Sequence, residues 1–112
     1  MKIKAAVEDW LVECEIRKYT PKTLKGYRTN LNIFMRFCKE ELDIDDMEDV
    51  TYATIKKYTQ VMVQKGHKGT YVNGLLKSAK SFIQYIYDEY GEGFNTRNKG
   101  FRWVREEKPI IK

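Results

Sequence analysis

Residues 20–37 read Thr20-Pro21-Lys22-Thr23-Leu24-Lys25-Gly26-Tyr27-Arg28-Thr29-Asn30-Leu31-Asn32-Ile33-Phe34-Met35-Arg36-Phe37. Thr20 is a good helix N-cap, because its hydroxyl can accept one of the backbone N–H groups that a helix start leaves unpaired. Pro21 follows at the first helical position, where its missing N–H costs nothing and its fixed φ suits a helix. From there Leu24, Tyr27, Leu31, Phe34 and Cys38 recur at steps of three and four, a single apolar stripe on the helical period. The predicted helix ends near Leu42, where an acidic stretch begins. Its polar side carries Lys25, Arg28 or Thr29, Asn32, Arg36 and Lys39, and Lys18, Tyr19, Thr20 and Lys22 cluster at its start.

Working outward, three more segments have the same periodicity. Val7, Trp10, Leu11 and Cys14 predict a helix from about Ile3 to Tyr19. Thr51 caps a third, with Ile55, Tyr58 and Met62 on one face and a stop at Gly66. The fourth begins at Gly69-Thr70 and runs to Tyr90, with Val72, Leu75, Leu76, Ala79, Phe82, Ile83 and Ile86 inward and Gly91 ending it. No run alternates with period two and no hairpin turn signal is present, so the expected fold is all-α, a compact four-helix bundle with short antiparallel connections. Residues 1–91 form the expected helical domain. Residues 92–112, with Gly93, Gly100, Pro109 and scattered Phe94, Phe101, Trp103 and Val104, read as a tail or interdomain linker.

The whole chain has 112 residues, enough for one domain with a modest core. Hydrophobic content of 42% with 33% charged residues excludes a disordered chain. No apolar run reaches the roughly 20 residues of a membrane helix, and no signal-peptide apolar region follows Met1. Two cysteines without a secretory signal make no disulfide framework. The net charge is +5, but Asp43, Asp45, Asp46, Glu48 and Asp49 sit together in residues 43–50 with no base among them, so the rest of the chain carries +10. Such patterning points to an anionic partner, nucleic acid being the commonest.

An enzymatic reading finds nothing to stand on. The only His, His67, lies in a Gly-rich turn without a Cys or His at ligand spacing. Cys14 and Cys38 fall on apolar stripes, where a free thiol behaves as a small hydrophobe. Phosphate-loop, dinucleotide and nucleophile-elbow motifs are missing. The acidic 43–49 run lacks the central glycine and the terminal bidentate Glu of a calcium loop and reads as a solvated acidic loop. The chain is thus expected to have no catalytic residues, no metal site and no cofactor.

The polar helix faces say more. On the fourth helix Asn73, Lys77, Lys80 and Gln84 follow at steps of four, three and four, a stripe more than about 90° from the apolar one with no carboxylate in it. Thr70 and Tyr71 sit at its N-terminus, where backbone N–H groups and the helix dipole favour phosphate. Lys and Arg suit phosphate oxygens, and Asn or Arg can read base edges. Double-stranded DNA is therefore the expected partner. The alternative is a small protein-interaction module that docks through the acidic 43–50 loop or the C-terminal tail.

These residues also carry a resemblance. Thr20 to Phe37 resembles the S/T-x-x-T-x-x-x-Y-x-x-x-L-x-x-F-x-x-F opening of the core-binding domain of tyrosine recombinases (phage-type integrases), a SAM-like helical domain. Val50-Thr51 with Ile55 and Tyr58 resembles its third helix. Gly66 through Thr70-Tyr71-Val72-Asn73, followed by Leu75-Leu76-Lys77-Ser78-Ala79-Lys80-Ser81-Phe82, resembles its fourth. The likeness covers about residues 5–108. Asn98-Lys99 departs from the family's Asn-Pro after the fourth helix. The family's His-x-x-Arg and nucleophilic Tyr are missing, so Arg105 to Ile111 would lead toward an absent catalytic domain.

The resemblance implies a C-shaped clamp of core-binding and catalytic domains around the recombination core site, with the second and fourth helices facing DNA and other recombinase protomers alongside. It implicates Lys22, Thr23 and Arg28 on helix two, Lys68 ahead of helix four, and Thr70, Tyr71, Asn73, Lys77 and Lys80 on it. Tyr27 would be structural. The implied setting is the cytoplasm, in a bacterial, phage or mobile-element protein.

Overall fold

The computed structural model describes residues 1–91, and the 92–112 segment, including Asn98-Lys99, lies outside the described residues. Four helices are present: α1 (Ile3–Ile16), α2 (Pro21–Leu42), α3 (Tyr52–Gln64) and α4 (Gly69–Tyr90), with one 3-10 turn at Met47–Asp49. Among the described residues there is no strand, only an isolated bridge pairing Lys2 with Asp46. The all-α four-helix bundle is as expected.

Each helix starts and stops for local reasons. The Thr20 hydroxyl accepts the Thr23 N–H at 3.2 Å, and Pro21 occupies the first turn of α2. Thr54 accepts the Thr51 N–H at 3.1 Å and so closes the entry to α3. Gly66 and Gly91 take positive φ after α3 and α4, a conformation that a Cβ would strain. α1 is three residues shorter than the expected reach to Tyr19. Arg17 is its C-cap and Lys18 turns the chain at φ 60.

α2 runs antiparallel to α1, with Trp10 beside Tyr27 and Lys4 and Met35 lining one cavity, and antiparallel to α4, with Asn30 on Ser78 and Arg36 lining a cavity with Tyr71. α2 and α4 lie side by side, where the Asn30 amide donates to Ser78 Oγ at 2.9 Å. α1 crosses this pair through Trp10, whose ring centroid is 5.5 Å from Tyr27 on α2 and 5.1 Å from Tyr85 on α4. Tyr85 and Tyr90 both donate their hydroxyls to Asp9, tying the end of α4 to α1. α3 packs through Tyr58, 5.1 Å from Phe34 and 5.0 Å from Phe37. The core is the union of the four predicted stripes: Val7, Trp10, Leu11, Cys14, Leu31, Phe34, Cys38, Ile55, Tyr58, Met62 and the seven apolar positions of α4 are all buried. Leu24 and Tyr27, at the open end of α2, are only partly so.

The acidic 43–50 stretch is not the expected solvated loop. Met47 and Val50 are buried at 2% and 1% exposure, which pulls the segment onto the core. The backbone then pairs with the start of the chain: Ile3 N–H donates to Asp45 O and Met47 N–H to Met1 O, both at 2.8 Å. Charge follows the backbone. Glu48 accepts from the Met1 ammonium at 2.8 Å, Asp46 lies 3.4 Å from Lys2, and Lys39 bridges Asp45 and Asp43 at 3.0 and 3.7 Å. Three apolar residues inside the acidic run, Ile44, Met47 and Val50, were the missed signal. Met47 and Val50 bury, Ile44 packs against them at the edge of the core, and the carboxylates around them find cations at the rim.

Candidate nucleic-acid interface

Lys22, Lys25, Lys68, Thr70, Tyr71 and Lys77 are exposed, as the predicted polar stripes require. Thr23 is exposed too, but its hydroxyl accepts from Thr20 Oγ1 at 3.0 Å and belongs to the α2 cap. Arg28 is half exposed, with Nη1 3.2 Å from Glu8 Oε1 on α1, so its charge is partly engaged. Lys80 and Gln84 are half-buried, and Gln84 donates to Asp88 at 2.7 Å. Lys68 supplies the N-cap backbone of α4 without a side-chain cap, so the first N–H groups of that helix have no side-chain acceptor from it.

Asn73 departs from the expected exposed stripe. It is 6% exposed, buried with Ser78 at 6% on the other flank of the apolar face. The cause is the position of α4, which packs against α1, α2 and α3. A helix with neighbours on three sides buries a wider arc than its apolar stripe, and Asn73 lies about 115° from the stripe's centre, inside that arc.

Antiparallel packing also divides the predicted residues between two ends. Lys22 and Lys25 stand at the start of α2, beside Lys18. Thr70 and Tyr71 stand near the other end of α2, where a cavity of about 160 Å³ is lined by Arg36, Lys65, His67 and Tyr71 together with Glu40 and Glu41. From residue 22 to residue 36 the α2 axis advances about 21 Å at 1.5 Å per residue. The site is therefore two ends of one helix pair, each rich in cations but with carboxylates nearby (Glu15 beside Lys25 and Arg28, Glu40 and Glu41 beside Arg36 and Lys65), and with Lys77 between them, rather than a single cluster. Arg36, Lys65 and His67 join the second end, and the His67 and Tyr71 rings lie 4.7 Å apart. Sequence periodicity placed Arg36 on the polar side of α2. Only the antiparallel return of α4 brings it to Tyr71.

The surrounding charge is sorted. From Val50 to Tyr87, and again from Ile16 to Lys39, the sequence contains no Asp or Glu. Lys22, Lys25, Lys65, Lys68 and Lys77 consequently have no carboxylate partner among the described residues. No nucleophile or metal cluster accompanies them. Among the described residues no group of three His, Cys, Asp or Glu could hold a metal. Cys14 and Cys38 are buried free thiols, and burial pushes them up to about 11 and about 12, which keeps both protonated and unreactive. No helix among the described residues is long and apolar enough to cross a membrane.

Compared with known families, residues 7–92 match the phage integrase N-terminal SAM-like domain. The chain belongs to this family, and its role lies in site-specific recombination by an integrase. The match is to the N-terminal domain, with no integrase catalytic domain matched. Comparison with curated proteins and with solved structures gave no match.

Proposed function

We propose that this chain is the DNA-clamping domain of a site-specific tyrosine recombinase. It grips duplex DNA at the recombination core site through α2 and α4. It also orients a catalytic domain that supplies the tyrosine nucleophile, with further protomers on the same DNA. The observation that carries this reading is the set of exposed lysines on the α2–α4 pair that no carboxylate pairs among the described residues, Lys22 and Lys25 at one end, Lys68 beside Thr70 and Tyr71 at the other, and Lys77 between. Ends about 21 Å apart along α2 can reach both phosphate ridges of a major groove about 12 Å wide.

Phosphate contacts then set the affinity and base reading is secondary. Lys80, half-buried, acts through its charge alone. Arg28 contributes once DNA competes for it with Glu8, an exposed pair worth at most about 1 kcal/mol. Asn73, buried, packs rather than reads bases. The acid-rich alternative surface is less favoured, because the 43–50 carboxylates are largely engaged by Lys2, Lys39 and the Met1 ammonium.

Lys22→Glu combined with Lys77→Glu tests the clamp. In a variant whose melting temperature is unchanged, duplex affinity should fall and the slope of log K against log salt should flatten by about 1.8, two phosphates at roughly 0.9 each. A folded double variant with unaltered affinity and slope overturns the reading.

A further inference from the structure

The outer face of α3 has no role in the clamp just described. Tyr52, Lys56, Lys57 and Gln60 are exposed on it, together with Ala53, around a shallow depression of about 500 Å³. At 100° per residue these side chains fall within one broad arc, away from buried Ile55, Tyr58 and Met62. The arc carries two ammonium groups, an amide and a phenol, all able to donate hydrogen bonds. It contains no carboxylate, since none occurs between Val50 and Tyr87. The Lys57 ammonium meets only the neutral Gln60 Oε1 at 3.4 Å, and Lys56 has no partner among the described residues.

A solubility surface in this chain looks different. On α1 and the end of α2, cations are interleaved with acids and pair with them, as in Arg17–Glu13 at 2.7 Å and Lys39–Asp45 at 3.0 Å. Lys65, the C-cap of α3, lines the cavity that Arg36, His67 and Tyr71 share with Glu40 and Glu41, so the α3 lysines run toward the Tyr71 end of the α2–α4 pair.

We propose that the α3 outer face is a second contact for the phosphate backbone of duplex DNA, separate from the α2–α4 clamp and independent of base sequence. Charge complementarity selects the occupant: two exposed lysines without a carboxylate partner, beside an amide and a phenol, fit a polyanion and offer nothing to a carboxylate-poor protein surface. Lys56 to Lys65 advances about 14 Å along the helix axis, close to four base pairs of duplex at 3.4 Å each. DNA that leaves the clamp at the Tyr71 end would thus continue along α3. The inference rests on the clamp reading in that both name duplex DNA as the partner.

The test uses the 112-residue chain and three charge-matched pairs: Lys56→Gln with Lys57→Gln, Lys22→Gln with Lys77→Gln, and Lys2→Gln with Lys4→Gln on the acid-rich side. Each is first checked for an unchanged melting temperature, and duplex binding is then measured across salt. The α3 pair should flatten the log K against log salt slope by about 1.8 and the Lys2/Lys4 pair by far less. In a titration with duplex followed by NMR, the Lys56, Lys57 and Gln60 amides should shift. If the α3 pair behaves like the Lys2/Lys4 pair while the Lys22/Lys77 pair flattens the slope, this inference fails and the clamp stands. If the α3 pair flattens it and the Lys22/Lys77 pair does not, the inference holds and the clamp fails. If no pair changes the slope, both are overturned.

Discussion

On one side of the α2–α4 pair, α1 and the 43–50 segment hold Glu8, Asp9, Glu13, Glu15 and five more carboxylates, most of them within reach of a cation or a tyrosine hydroxyl. On another side, α3, the turn after it and α4 as far as Lys80 hold six lysines and no acid. Both regions bury comparable apolar stripes, so neither arrangement is needed to make the core. In the first region charge neutralises itself and fixes the ends of the chain segments. In the second, Lys56, Lys57, Lys65, Lys68 and Lys77 have no carboxylate partner among the described residues, which costs self-repulsion that the proposed duplex DNA would offset.

Trp10→Ala should break the comparison most severely. Trp10 is 1% exposed and joins α1 to both Tyr27 and Tyr85, so its loss should cost about 3–5 kcal/mol. Against a total of roughly 5–15 kcal/mol for a domain, that is a large fraction. Urea unfolding should show the midpoint collapse. A loss under about 1 kcal/mol would mean that α1 is not anchored there.

Tyr58→Phe sharpens the other side. The Tyr58 hydroxyl is buried beneath α3 without a hydrogen-bond partner among the described residues, and burial, with Tyr71 and Cys38 nearby, holds its proton on. Removing an unsatisfied buried hydroxyl while keeping the ring should raise stability by about 1 kcal/mol. A destabilised variant in the same unfolding assay would show that the hydroxyl is satisfied.

The smallest effect belongs to the acidic clasp. The hydrogen bond from the Met1 ammonium, with a backbone N–H, lowers the Glu48 carboxyl from its usual 4.5. A carboxylate lowered in the folded state contributes stability that is present above its unfolded pKa and lost as pH falls through the folded value. Between about pH 6 and pH 3 the wild-type chain should therefore lose slightly more of its urea midpoint than Glu48→Gln. Parallel pH profiles would show the ion pair to be without thermodynamic weight, as many exposed pairs are.

The four helices were legible from their apolar stripes, and α2 and α3 were signalled a second time by a threonine at the N-cap. Thr20-Pro21 with Leu31, Phe34 and Cys38 illustrates it, and so does Thr51 with Ile55, Tyr58 and Met62. The 43–50 segment was misread for the complementary reason. Its composition is that of a solvated loop, and Ile44, Met47 and Val50 make too short an apolar stripe to outweigh five acids. Met47 and Val50 count only because the start of α1 lies close enough to cover them. The candidate interface was half legible. Lys22, Lys25, Thr70, Tyr71 and Lys77 stand exposed as their helical angles predict, while Asn73, at a similar angle, is buried by a third neighbouring helix.

By itself, then, the sequence determined which segments are helical, which stripe of each turns inward, and that Val50 to Tyr87 would carry lysines without acids. These are local properties, set by capping chemistry, period and residue type. Tertiary structure alone decided that Arg36 lines one cavity with Tyr71, that Arg28 meets Glu8, and that the acidic run closes on the N-terminus. Each of those contacts joins residues far apart in the chain, and the packing of antiparallel helices, which no local period encodes, is what brings them together.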